Sequence, residues 1–317
     1  MHLDTASFYE ALSAVHLPDL QASIHLPDLQ ASKDLIAEWL PATRDNWELL
    51  MWWWQFYPLI GSMQWISSFY GMGKTSFNSR LNIPGRVAWF TMEIPGFVTL
   101  LYIMNTLPVQ HGITDLPWQN KVLVSLFVMH YVYRAVFFPF LQPSMSPIHV
   151  SVWFMAVVFQ LCNGTAIGCW LAAYGPTTQE EWQAQGFSIV QFSIGLVLFY
   201  VGLVGNYFSD EELREIRRSE MRRREKLAQQ GQTIDKHYEV PQNGLFKYML
   251  FPHYFMEWVE WSGYWIAGGL AFTPARCFLL NEFFAMLPRA VSGGKWYKAR
   301  FGEDKVKGKY VIIPGVY

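Results

Sequence analysis

A chain of 317 residues that is 52% hydrophobic, 17% aromatic and only 15% charged is too apolar for an ordinary soluble domain, where about 25% of residues carry charge. Its formal net charge of −1 gives no electrostatic basis for binding nucleic acid. Composition therefore selects the membrane class, and the three cysteines, Cys162, Cys169 and Cys277, all in apolar runs, support neither a disulfide framework nor a zinc site.

The N-terminal stretch is acidic and lacks the basic start and apolar core of a cleavable signal peptide, so the first membrane helix is expected to act as its own insertion signal. His-Leu-Pro-Asp-Leu-Gln-Ala-Ser at 16–23 recurs at 25–32. One repeated unit does not make a solenoid, and the stretch reads as a local duplication. Residues 1–46 are expected to form an N-terminal luminal tail and residues 47–317 a single membrane domain.

Asp, Glu, Lys and Arg are absent between Glu48 and Lys74, between Ala135 and Gln179, and between Trp182 and Ser209. At ~20 apolar residues per crossing, helices are expected near 49–70, 87–108, 119–140, 148–173, 187–208, 245–270 and 273–291. The expected fold is an all-α integral membrane protein, a bundle of seven transmembrane helices. Basic residues gather in three segments: Lys74, Arg80 and Arg86; Arg214, Arg217, Arg218, Arg222, Arg223, Arg224 and Lys226; and Lys295, Lys298, Arg300, Lys305, Lys307 and Lys309. In a seven-helix bundle all three lie on one side, which the positive-inside rule makes cytosolic. Residues 174–182, with no basic residue, face the other side. Trp52, Trp53 and Trp54 suit a headgroup belt. Gly-Met-Gly-Lys-Thr at 71–75 is not a phosphate loop, because Ser68 stands where the motif needs glycine and no strand precedes it.

Polar residues inside these spans are costly, about 2.5–3.5 kcal/mol for an ionised group on insertion scales, and so mark function. Glu93 lies ~10 Å inside the second span at ~1.5 Å per residue, and Pro95 frees backbone carbonyls there to line a cavity. The third span carries His130, Tyr131 and Arg134, with Tyr131 at a depth similar to that of Glu93. A carboxyl that keeps its proton and a phenol can both donate to a carbonyl in a dry site. Asn163 and Gly164 place an amide and a close-approach position in the fourth span. Along a helix from Asn206, Asp210, Leu213 and Arg217 share one face. The sixth span, which Pro252 can start, carries His253, Glu257 and Glu260 on one face. These two faces could enclose a polar ligand.

Several runs together resemble the steroid 5-alpha-reductase family over roughly residues 70–317: Arg86 to Pro95, His-Tyr-Val-Tyr-Arg (130–134), Cys-Asn-Gly (162–164), Asn-Tyr-Phe-Ser-Asp (206–210) with Arg217, Tyr238 to Tyr248, Glu-Trp-Val-Glu-Trp (257–261) and the C-terminal tail. The Pro-Gln-Asn-Gly-Leu-Phe (241–246) and tail segments are the most specific, and signatures concentrate in about 160–317. The resemblance implies a seven-helix endoplasmic-reticulum enzyme with a cytosolic-facing cofactor site, using NADPH to reduce a carbon–carbon double bond conjugated to a ketone.

By that resemblance Glu93 and Tyr131 hydrogen-bond the substrate carbonyl. Asn206, Asp210, Arg217, Tyr238, His253, Glu257, Arg289 and Tyr297 hold the dinucleotide, while Arg134, Asn163 and Gly164 border the substrate cavity. The implied partners are a hydrophobic small-molecule substrate and membrane lipids, with no metal. Three departures stand out: His253 replaces the usual asparagine, Gly293 replaces a histidine, and 141–147 lacks an expected basic residue. Competing readings are reduction of a trans-2-enoyl-CoA or polyprenol-type lipid, an isoprenylcysteine-type methyltransferase, and a non-catalytic sterol-binding protein.

Overall fold

The computed structural model describes residues 34–66, 73, 76, 78–230 and 238–317, with 34–317 forming one packed unit. The duplicated stretch at 16–32 lies outside the described residues, as does most of 71–75.

Helix α1 (Arg44–Trp54) is capped by Thr43, whose hydroxyl accepts from the Asn46 amide, and it buries Trp47, Met51 and Trp54 along one face. A separate helix α2 (Tyr57–Ser62) follows, so the single span expected over 49–70 is in fact broken. Pro58 has no N–H to give the Trp54 carbonyl, and the first helix stops there.

The next elements fall close to their expected places. Helix α3 runs Gly85–Gln110 with Pro95 and Pro108 inside it. Helix α4 (Trp118–Tyr131) passes through a π-turn, Val132–Phe137, into α5 (Phe138–Leu141). Pro139 leaves the Ala135 carbonyl without its usual donor, and the wider register accommodates this. Helix α6 (Val150–Cys169) likewise ends in a π-turn, Trp170–Tyr174. A two-residue ladder, Asn82 and Ile83 against His149 and Ile148, ties the start of α3 to the start of α6.

After α7 (Gln179–Ala184) comes α8 (Ile189–Gln229), 41 residues long. The crossing expected to end near 208 continues as helix through the arginine-rich segment. Neither Pro nor a turn signal interrupts it, and Glu211–Arg214, Glu215–Arg218, Glu220–Arg223 and Glu220–Arg224 pair one turn apart at 2.7–3.1 Å. Helix α9 (Pro252–Gly268) starts at proline as expected and is followed by Gly269 at φ +88°. Helix α10 (Thr273–Phe301) and the short α11 (Glu303–Val306) complete the order. The tail folds back, with Leu250 and Phe251 N–H groups bonded to the Tyr310 and Val311 carbonyls.

Two close approaches organise the packing. Helices α3 and α6 meet where a Cβ on Gly164 would lie 2.3 Å from the Gly96 carbonyl oxygen. Helices α8 and α9 meet along Gly195, Gly202 and Gly263, where added Cβ atoms would fall 2.2–2.4 Å from backbone nitrogens of the facing helix. An aromatic core of Phe127, Tyr131, Trp261, Tyr264, Phe272 and Phe278 lies between these pairs.

The chain is thus mostly helical and multi-pass. Among the described residues, four helices are long and apolar enough to cross a bilayer: Gly85–Gln110, Trp118–Leu141, Val150–Tyr174 and Ile189–Gln229. The other three expected crossings fall short of that standard as single helices, being broken at Pro58, limited to 17 residues in α9, or charged along α10.

Candidate active site

The inner faces of α3, α4 and α6 bring four polar side chains together. Gln160 Nε2 donates to Glu93 Oε2 at 2.5 Å, and the Tyr131 hydroxyl is a second neighbour of the same amide. Asn163 Nδ2 donates to the Tyr131 hydroxyl oxygen at 3.2 Å. Gly96 makes this possible, since a Cβ there would lie 2.4 Å from Gln160 Oε1. Gly164 is the close-approach position expected in the fourth span, and it seats α6 against α3.

Donor and acceptor roles follow from the pairing. Tyr131 accepts from Asn163, which leaves its own proton for another acceptor. Glu93 receives the Gln160 amide on one oxygen and keeps the other for a second bond. Gln160 carried no signal in the sequence, because a lone amide in an apolar span gains meaning only from a partner 67 residues away.

A second polar group lies between α8 and α9. Asn206 Nδ2 bonds the His253 carbonyl at 2.9 Å and Glu257 Oε2 at 3.2 Å. Asp210 is buried one turn further along, with Oδ2 unpaired, and His253 Nδ1 is unpaired as well. Arg217 Nη1 donates to Gln142 Oε1 at 2.6 Å. Arg86 Nη2 donates to the Gln142 and Pro143 carbonyls at 2.7 and 3.1 Å. The loop that lacks its own basic residue is therefore flanked by two guanidinium groups from elsewhere.

Arg134 joins the two groups. Its guanidinium lies 4.8 Å from the Trp89 and Phe138 ring centres and within electrostatic reach of Glu93, Asp210, Glu257 and Glu282. Behind it the buried pair His130 and Glu260 meets at 2.7 Å. Among the residues singled out in the sequence, Tyr238 and Tyr297 gather at the far end of α10. Tyr238 packs on Trp296 at 5.5 Å, and Tyr297 lies against Phe251 at 6.1 Å. Arg289 is tied to Gln64 at 2.8 Å. Gly293, the histidine replacement, makes room for the Phe251 ring, which a Cβ would meet at 2.2 Å.

Sequence reasoning missed Glu282, Gln142 and Asn281 along with Gln160. Buried polar atoms without partners concentrate around these groups: Gln160 Oε1, Asn163 Oδ1, Asp210 Oδ2, His253 Nδ1, Glu260 Oε2 and both amide atoms of Asn281. Native interiors rarely leave so many polar atoms unpaired. Among the described residues no cluster of His, Cys, Asp and Glu is placed to hold a metal ion.

The family described as 3-oxo-5-alpha-steroid 4-dehydrogenase matches residues 146–317. The chain is 30% identical to 3-oxo-5-alpha-steroid 4-dehydrogenase 1 of Mus musculus over 80% of this chain and 89% of that protein. It is 29% identical to a steroid 5-alpha-reductase of Solanum lycopersicum over 82% and 92%. An uncharacterized protein of Schizosaccharomyces pombe is 34% identical over 76% and 89%. The chain belongs to the 3-oxo-5-alpha-steroid 4-dehydrogenase family, the steroid 5-alpha-reductases. It is a membrane oxidoreductase acting on CH–CH groups.

Proposed function

We propose that this protein carries out NADPH-dependent reduction of a carbon–carbon double bond conjugated to a carbonyl in a hydrophobic lipid, a 3-oxo-4-ene steroid or related terpenoid. The observation that carries the reading is the pairing of Glu93 and Tyr131 with Gln160 and Asn163, whose amide groups occupy one face of each and leave the other for a carbonyl oxygen. The enzyme works as a seven-helix bundle over residues 47–317 in the endoplasmic-reticulum membrane, with the cofactor site and C-terminus cytosolic. The three basic segments support that orientation.

The residues present suit a nicotinamide dinucleotide. Asp210 and His253 offer buried unpaired atoms to ribose hydroxyls or the carboxamide, beside Asn206 and Glu257. Arg217 and Arg86 bring positive charge for phosphates, and Tyr238, Arg289 and Tyr297 complete the cofactor set. When bound, the reduced nicotinamide supplies a hydride. Hydrogen bonds from Glu93 and Tyr131 stabilise negative charge on the carbonyl oxygen as the beta carbon is reduced, an oxyanion-hole type of assistance. Arg134 holds the surrounding carboxylates in place, and the aromatic core excludes water.

The test is NADPH consumption by purified, detergent-solubilised protein offered a 3-oxo-4-ene steroid, a long-chain trans-2-enoyl-CoA and a polyprenal side by side, with product masses recorded. A gain of two hydrogens on the steroid is expected. Reduction of one of the others alone would move the protein to a sister branch, and absence of NADPH binding would overturn the reading.

A further inference from the structure

Among the described residues, seven side-chain amides are buried: Gln119, Asn120, Gln142, Gln160, Asn163, Asn206 and Asn281. Six make at least one hydrogen bond. Gln119 exchanges two with Gln179, and Asn120 is saturated by the Leu171 and Pro176 carbonyls and the Trp182 indole. Asn281 alone, 2% exposed, has neither Nδ2 nor Oδ1 bonded. Helix geometry does not force this, because Asn105 bonds back to the carbonyl four residues earlier at 2.7 Å. The Asn281 amide is instead held away from its own helix and given no protein partner, an arrangement that is costly unless something else fills it.

Its surroundings say where it lies. One turn earlier on α10, Phe278 packs 4.5 Å from Trp261 and 5.9 Å from Phe159. Trp261 in turn neighbours Tyr131 at 6.2 Å, and Phe159 precedes Gln160 in the chain. The next residue, Glu282, is within electrostatic reach of Glu93, Arg134 and Tyr131. Asn281 thus lies beside the aromatic residues that pack against Tyr131 and Phe159, on a helix that gives Glu93 and Tyr131 none of the hydrogen bonds described above.

We propose that Asn281 is a second polar anchor for the substrate, which binds a hydroxyl or carbonyl oxygen on the part of the lipid remote from the conjugated carbonyl. An amide both donates and accepts, so it takes either group. This rests on the reading of Glu93 and Tyr131 as the carbonyl anchor, and it narrows the substrate to a lipid oxygenated at two places. A purely hydrocarbon tail would leave the amide unpaired in the complex, and the site would select against it.

The experiment uses full-length solubilised protein and two probes, 17β-hydroxyandrost-4-en-3-one and androst-4-en-3-one, which differ only in one remote hydroxyl. Wild type is expected to show the lower KM for the hydroxylated steroid. Asn281→Leu should raise that KM about tenfold, as expected for a lost buried hydrogen bond. It should leave the KM of the deoxy steroid, both kcat values and NADPH affinity within about twofold. Its melting temperature should match or exceed wild type, since an unpaired amide has been removed. Asn281→Ser, which retains a hydroxyl, should keep part of the preference and serves if the leucine variant does not fold. Equal KM changes for both steroids, no change for either, or a loss confined to NADPH affinity would overturn the proposal. If wild type reduces neither steroid, the reading of the carbonyl anchor falls, and this inference falls with it.

Discussion

At the residue scale, the candidate site depends on amides that position acids. Gln160 and Asn163 each donate one bond, and so decide which oxygen or proton of Glu93 and Tyr131 remains for a ligand. Glu93→Gln is expected to abolish most turnover while leaving NADPH binding within a few-fold, because the carboxamide keeps the shape but loses the acidic proton. Near-normal activity in that variant would remove Glu93 from the mechanism. Gln160→Leu should lower kcat about 10–100-fold with little change in KM for NADPH, since a misplaced donor costs positioning more than binding. A proportional loss of both would indicate a folding defect. Glu93 and Tyr131 were legible in the sequence as polar residues at matched depth. Their amide partners were not, because a lateral contact between helices leaves no periodic trace in either one.

At the scale of elements, glycines set how near the helices come. A methyl group on Gly202 would lie 2.2 Å from the backbone nitrogen of Glu260, whereas one on Gly205 would meet the thioether of Met256 at 2.6 Å. Backbone cannot yield, but a methionine side chain can. Gly202→Ala should therefore destabilise the protein by about 1–3 kcal/mol and Gly205→Ala by clearly less, read as melting temperatures in one detergent. Equal losses would mean that α8 and α9 are free to separate. The apolar runs of α3, α4 and α6 were readable to within a few residues because the absence of charge is itself the signal. The break at Pro58 and the π-turn at 132–137 were not read. Each follows from one missing N–H, and a proline inside an apolar run can either sit within a continuous helix, as Pro95 does in α3, or end it.

At the scale of the whole molecule, the candidate site falls into two polar groups bridged by Arg134: one on α3, α4 and α6, the other between α8 and α9. If they serve substrate and cofactor respectively, damage should separate along the same line. Asp210→Ala and Arg217→Ala are expected to weaken NADPH binding about tenfold or more while leaving steroid affinity within a few-fold, measured by titration of each ligand. Equal weakening of both would merge the two groups into one.

The long helix α8 has a further consequence. It carries Asn206, Asp210 and Arg217 on one uninterrupted rod, so their angular relation is set by residue count alone, like marks on a ruler. One residue inserted between Leu213 and Arg214 would turn Arg217 by about 100° away from Gln142, and seven inserted would restore the angle but push the guanidinium roughly 10 Å further out. Substitutions along this rod change a mark, but insertions move the scale, and the chain is therefore expected to tolerate the first far better than the second.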